Sequence, residues 1–300
     1  MQLIPWSYLT PDGFTLRGWR SPASGKPLLH LLHGNGFCAL VYRPMLVQLS
    51  EHFDLWLSDV QGHGESDHGG AFRGWNRSAE LALAAFEAGR GVYGEVVCHA
   101  MGHSFGGVLT GLILAQRPGL FARAVLLDPV LFSRRMIALM RLARWLRLHG
   151  RHGLARKAAA RRSEWPDRQV AQASLQGRGT FKGWSADALD AYLEHALSPS
   201  PGGVSLKCRP SREAEIFSSM PQRLWPSLQH IVTPTLILHG ERSYPFVGPS
   251  VRRLARLNGA VFERKVAGGH CFMQEDPAAA AGWVMGFLWG EAGCSAGSGV

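Results

Sequence analysis

Gly102-His103-Ser104-Phe105-Gly106 is the stretch on which the reading of this chain turns. It matches G-x-S-x-G, follows a predicted strand over Glu95–Ala100 and opens a predicted helix over Gly107–Gln116. A side chain on so tight a strand-to-helix turn needs strained backbone. The glycines two residues before and after it remove Cβ atoms that would collide as strand and helix pass. The turn pushes the Ser104 hydroxyl out at the sheet edge. It also aims the free N–H groups of the helix N-terminus at any oxyanion that forms there. Glycine and serine are common residues, so the strand–turn–helix context carries the signal.

Working outward, five more apolar runs end near Gly, His or Asp. Leu28–Leu32 enters His33-Gly34-Asn35-Gly36, Asp54–Leu57 leads to Asp59, and Ala124–Leu127 leads to Asp128-Pro129. Thr235–Leu238 leads to His239-Gly240, and Ala260–Val266 to Gly268-Gly269-His270. Strands alternating with helical segments predict an α/β fold with a parallel sheet. In such a sheet chemistry is assembled at the carboxyl ends of the strands. Between Pro129 and about Ser227 the alternation stops and helical periodicity takes over. We read residues 1–130 and 228–290 as the core and 131–227 as a helical cap inserted between two strands. Pro277–Trp289 reads as a C-terminal helix, and 291–300 as a tail that frays.

Serine needs a base, and His270, on the loop after the last strand, is positioned to lean across the sheet edge to Ser104. The Gly-rich loop at His33–Gly36 lets backbone approach a ligand. Its Asn35 N–H would pair with that of Phe105 to form an oxyanion hole. His30, His63 and His103 read as packed side chains.

With His33-Gly34-Asn35-Gly36, Asp59-x-x-Gly62-His63-Gly64-x-Ser66, Gly102–Gly107, Pro234–Glu241 and Gly269-His270 in this order, the chain resembles the α/β-hydrolase superfamily, in its cap-bearing serine-hydrolase branch. The resemblance covers roughly residues 25–130 and 230–290. It implies an eight-stranded, mostly parallel sheet with helices on both faces and a Ser–His–acid triad that uses no cofactor or metal. Gln61 stands where that family often has Arg. The resemblance also implies an Asp three residues past Gly240, and here that position is Ser243. A neutral hydroxyl cannot stabilise an imidazolium. Asp128, at the end of the preceding strand, is the carboxylate we assign to replace it, with Glu241, one residue past Gly240, as the alternative.

These residues point to hydrolysis of an ester, thioester or related acyl group. Ser104 argues against dehalogenase and epoxide hydrolase chemistry, which places Asp at this turn. Carbon–carbon bond hydrolysis and acyl transfer remain open, as does a non-catalytic binding protein, because the expected acid is missing.

The chain has 300 residues and a net charge of +10, of which residues 131–168 carry +9. Basicity this regional, on a helical stretch, does not predict a nucleic-acid partner. Arg134, Arg141, Arg144, Arg147 and Arg151 share one side of a helix whose remaining girth is largely apolar, including Met136, Met140 and Trp145. Such a helix either packs on the core, roofs an apolar substrate pocket or touches an anionic membrane surface. We expect a small-molecule acyl substrate of apolar character. Five widely spaced cysteines predict reduced, core-filling thiols. The opening residues carry no cationic and apolar leader pattern, so a cytoplasmic location is expected.

Overall fold

The main sheet has eight strands, and five of them are buried on both faces, as packing between two helical layers requires. In the computed structural model, which describes residues 1–145 and 153–290, the eight are β1 (Ile4–Leu9), β2 (Thr15–Arg20), β3 (Leu28–Leu32), β4 (Asp54–Asp59), β5 (Cys98–His103), β6 (Arg123–Leu127), β10 (Thr235–Arg242) and β11 (Val261–Gly269), counting three short strands between β6 and β10. The sheet order is β1-β2-β4-β3-β5-β6-β10-β11. Every pairing from β4 to β11 is parallel, and the β1–β2 and β2–β4 pairings are antiparallel. The eight-stranded, mostly parallel sheet is therefore as expected.

The helices of the sheet body are α1 (Arg43–Leu49), α2 (Trp75–Gly89), α3 (Ser104–Gln116), α10 (Val247–Leu257), α11 (Phe272–Glu275) and α12 (Pro277–Leu288). Alternation along the strands splits the core in two. Leu29, Leu31, Leu55, Leu57, Met101 and Val125 pack with α1 and α12. Leu28, Leu32, Trp56, Ala100 and Leu126 pack with α2, α3 and α10 on the other face.

Between β6 and β10 lie α4 (Arg134–Trp145), α5 (Gly153–Ala159), α6 (Arg168–Leu175), α7 (Ala186–His195), α8 (Pro210–Phe217) and α9 (Leu224–Gln229). This insertion is not wholly helical. β7 (Glu164–Trp165), β8 (Leu197–Ser200) and β9 (Gly203–Leu206) form a separate antiparallel sheet of three. The division expected at 227/228 falls inside α9, whose Trp225 and Leu228 pack in the same cluster as α3.

The basic stripe also differs from expectation. Of the α4 side chains described, Ile137 is the one that is buried, while Leu139, Leu142 and Trp145 are exposed. Among the described residues of α4, Met136, Met140 and Trp145 included, none lines the main cavity. Arg147, Arg151 and the 291–300 tail lie outside the described residues, as does Cys294. The other four cysteines are buried free thiols. Among the described residues no helix is long and apolar enough to cross a membrane.

Burial also fixes the protonation of several histidines. His30 stacks on Phe86 and Phe121, and burial lowers its pKa to about 3. Burial lowers that of His33 to about 4 and holds His63 and His103 well below the ordinary value. A histidine depressed in the fold contributes stability that is present above its unfolded value near 6.5 and lost as pH falls below it. Burial raises Asp59 to about 6, which acts the opposite way over the same window but is one group against four. Urea unfolding at pH 7 and pH 5 is expected to show a lower midpoint at pH 5, with about 2 kcal/mol lost per buried histidine. Equal midpoints would show that these rings are not held neutral.

Candidate active site

Ser104 sits at the first position of α3 directly after β5, with φ +53° in the left-handed region. The strain is enforced by packing. A Cβ at Gly106 would lie 2.2 Å from Leu32 O, and one at Gly102 would lie 2.4 Å from Gly106 O. Strand and helix pass too closely for any other residue at these two positions.

His270 follows β11, and its loop is held from below. Glu275 accepts the Gly269 N–H at 2.7 Å and pairs with Arg242 at 3.0 Å. The His270 Nε2 lies 2.9 Å from Ser104 Oγ, and its Nδ1 lies 2.5 Å from Asp128 Oδ2. Asp128 follows β6 at φ +43° and is fully buried. Its Oδ1 accepts the Gly240 N–H at 2.8 Å, and the Ser243 hydroxyl donates to its Oδ2. A buried carboxylate is costly unless hydrogen bonds satisfy it, and these partners do so.

Of the two carboxylates, the structure thus brings Asp128 to His270 and leaves Glu241 away from it. The expected strand Thr235–Leu238 continues to Arg242, and this extension carries Glu241 to the surface, 3.9 Å from Lys265 Nζ. Ser243, which reads in the sequence as a missing acid, is a hydrogen-bond donor to the acid from the neighbouring strand.

His103 is packed, as expected, and it also has a role the sequence does not signal. Its Nε2 donates to the His270 backbone carbonyl at 3.1 Å, so its Nδ1 accepts from the Tyr42 hydroxyl at 2.6 Å. Tyr42 in turn accepts the Gly34 N–H at 3.0 Å. This chain ties the His33–Gly36 loop to the residue that faces Ser104.

That loop leaves one donor open. The N–H groups of Gly34, Gly36 and Gly106 are taken by Tyr42, His63 and His33 respectively. Among the described residues the N–H groups of Asn35 and Phe105 have no acceptor. The first turn of a helix lacks intrahelical partners, which accounts for Phe105. The Asn35 side chain donates to Glu213 O of α8 at 3.1 Å, which joins this loop to the insertion. The Asp59–Ser66 loop braces the same region: Asp59 accepts the N–H groups of Ala39 and Glu65, and Gln61 donates to three loop carbonyls.

Ser104, His270, Asn35 and Phe105 open into a cavity of about 760 Å³. Its walls include Phe37, Trp75, Phe132, Trp165, Phe181, Phe217, Tyr244 and Phe246, all but the first two drawn from the insertion and from the loop after β10. A hydroxyl, a ring nitrogen in reach of its proton and two free N–H donors inside an apolar chamber suit attack on a carbonyl. Among the described residues there is no group of three or more His, Cys, Asp or Glu able to hold a metal ion.

The model of the Alpha/beta hydrolase family matches residues 31–283. The chain is 24% identical over 238 residues to 2-(acetamidomethylene)succinate hydrolase of Mesorhizobium japonicum, a match that covers 79% of this chain and 78% of that protein. Among solved structures it is similar to E-2-(acetamidomethylene)succinate hydrolase, at 21% identity and a TM-score of 0.78, over 96% of this chain and 99% of that one. It is also similar to a thioesterase domain from the Curacin biosynthetic pathway, at 18% identity and a TM-score of 0.69, over 95% of this chain and all of that one.

Proposed function

Because the chain belongs to the alpha/beta hydrolase family, we propose that it is a serine hydrolase that cleaves a carboxylic ester, thioester or related acyl substrate through an acyl-enzyme. The observation that carries this reading is the unbroken path from Ser104 Oγ through both His270 ring nitrogens to Asp128, at 2.9 and 2.5 Å. The named hydrolase from Mesorhizobium japonicum supports hydrolysis as the reaction class.

Ser104 Oγ attacks the carbonyl carbon while His270 Nε2 takes its proton. Asp128 holds the ring in the tautomer that leaves Nε2 free to accept, and stabilises the imidazolium that forms. The carbonyl oxygen gains negative charge and is held by the N–H groups of Asn35 and Phe105, where one such donor is typically worth about 10²–10³ in turnover. The imidazolium then gives its proton to the leaving oxygen or sulfur as the tetrahedral carbon collapses to the Ser104 ester. Water, deprotonated by His270, attacks that ester, and collapse returns the proton to Ser104 with release of the acid.

Purified protein is expected to release p-nitrophenol from p-nitrophenyl butyrate far faster than the roughly 10³–10⁴-fold over water that an oxyanion hole and binding supply by themselves. Folded protein without any such release would favour the non-catalytic binding reading instead.

A further inference from the structure

Part of the chain's positive charge lines the cavity. Residues 131–168 carry nearly all of the net positive charge, and three cations of that run line the cavity: Lys157 on α5, with Arg161 and Arg162 just after it. Arg178, from the segment after α6, joins them from a second direction. Among the described residues the one carboxylate in the lining is Glu213, and it is already engaged, 2.7 Å from Arg161, whose guanidinium also donates to the Tyr192 hydroxyl at 3.2 Å. Arg162 donates to Glu164 O at 2.8 Å and lies over the Trp165 ring. Lys157 and Arg178 have no carboxylate within 4.0 Å among the described residues. Four cations and one anion therefore face a single apolar chamber.

Like charges gathered at one opening repel. A low-dielectric cleft lined by one sign of charge focuses its field on a ligand of the other sign. We propose that this rim is an anion subsite. On this account the substrate is an acyl compound with an apolar body and a free anionic oxyacid group, carboxylate or phosphate, held by Lys157 and Arg178 while its reacting carbonyl sits at Ser104. The proposal rests on the reading of Ser104 as the nucleophile, since that fixes which end of the substrate reacts. Because Arg161 is held by Glu213, which also holds Asn35, it braces the loop beneath the cavity and leaves ligand charge to its two unpaired neighbours.

Binding to Ser104→Ala protein, measured by titration calorimetry, tests the subsite without requiring turnover. The probes are monomethyl suberate, octyl phosphate and the neutral methyl octanoate, each at low salt and in 0.5 M sodium chloride. At least one anionic probe is expected to bind tenfold or more tightly than methyl octanoate, with most of that advantage lost at high salt. Lys157→Gln combined with Arg178→Gln, at two exposed positions, is expected to bring the favoured anion down to the affinity of methyl octanoate. The favoured probe identifies the group as carboxylate or phosphate. Equal affinities for all three, or a preference that survives the double substitution, would overturn the subsite. Release of p-nitrophenol by wild-type protein, measured separately, shows whether the hydrolase reading stands, so the two can fail independently.

Discussion

Ser104→Ala is expected to lower turnover of p-nitrophenyl butyrate by about 10⁵-fold or more, leaving the residual rate that binding and the oxyanion donors supply. On the proposed mechanism the loss is large because Ser104, His270 and Asp128 act as a unit: without the hydroxyl, the ring has no proton to take and no acyl-enzyme forms. The same residue makes an opposite prediction for stability. Ser104 is held at φ +53° between Gly102 and Gly106, a conformation that costs a side-chain-bearing residue about 1–3 kcal/mol. Ser104→Gly removes that cost and adds about 0.5–1 kcal/mol of backbone entropy loss. It should therefore abolish activity while raising the urea midpoint, by a net of about 1 kcal/mol. Activity retained within tenfold in Ser104→Ala would remove the nucleophile from the account.

Asp128→Asn is expected to reduce kcat by about 10³–10⁴ with little change in fold. The amide keeps the shape of the carboxylate and the hydrogen bond from Gly240. However, it can offer N–H to His270 Nδ1, which favours the tautomer with its proton on Nε2 and removes the base that faces Ser104. Charge is lost as well, so the imidazolium formed on attack has no counter-ion. Glu241→Gln should change kcat by less than about twofold, because Glu241 lies at the surface opposite Lys265, where an ion pair is worth little. A larger loss in Glu241→Gln than in Asp128→Asn would reverse the assignment of the acid.

Much of this site is legible in the sequence, because the strained turn at Ser104 demands glycines at fixed offsets and because the other strands end in polar groups. Asp128 can be chosen as the acid from its place at a strand end, but Glu241 is not excluded by sequence, since its position depends on how far β10 runs. A strand that stopped at Leu238 would leave Glu241 on a loop free to turn inward, whereas one that runs to Arg242 commits it to the outer surface. The link from Ser243 to Asp128 is hidden for the same reason: only the three-dimensional path of the chain brings the hydroxyl and the carboxylate together across two strands. The Gly34–Tyr42–His103–His270 chain joins residues far apart in sequence by single hydrogen bonds and leaves no pattern. In the insertion, β7 has two residues and β8 contains Pro199, which is too little for a period-two signal. The antiparallel strand β1 likewise includes Pro5, and its neighbour β2 lies at the margin of the sheet rather than in its apolar centre. The strand before Ser104 is shifted three residues from its expected place because Gly102 pairs within the sheet, opposite Leu32 and Leu126, rather than ending it.

The account stands or falls on whether the Ser104 oxygen is activated by the ring beside it. A fluorophosphonate reacted with folded wild-type protein, followed by mass spectrometry of the proteolytic peptides, reads this directly. A single phosphonyl group on Ser104, absent when His270 is replaced by alanine, is the predicted result; no adduct on the folded protein, or one at another residue, would contradict it.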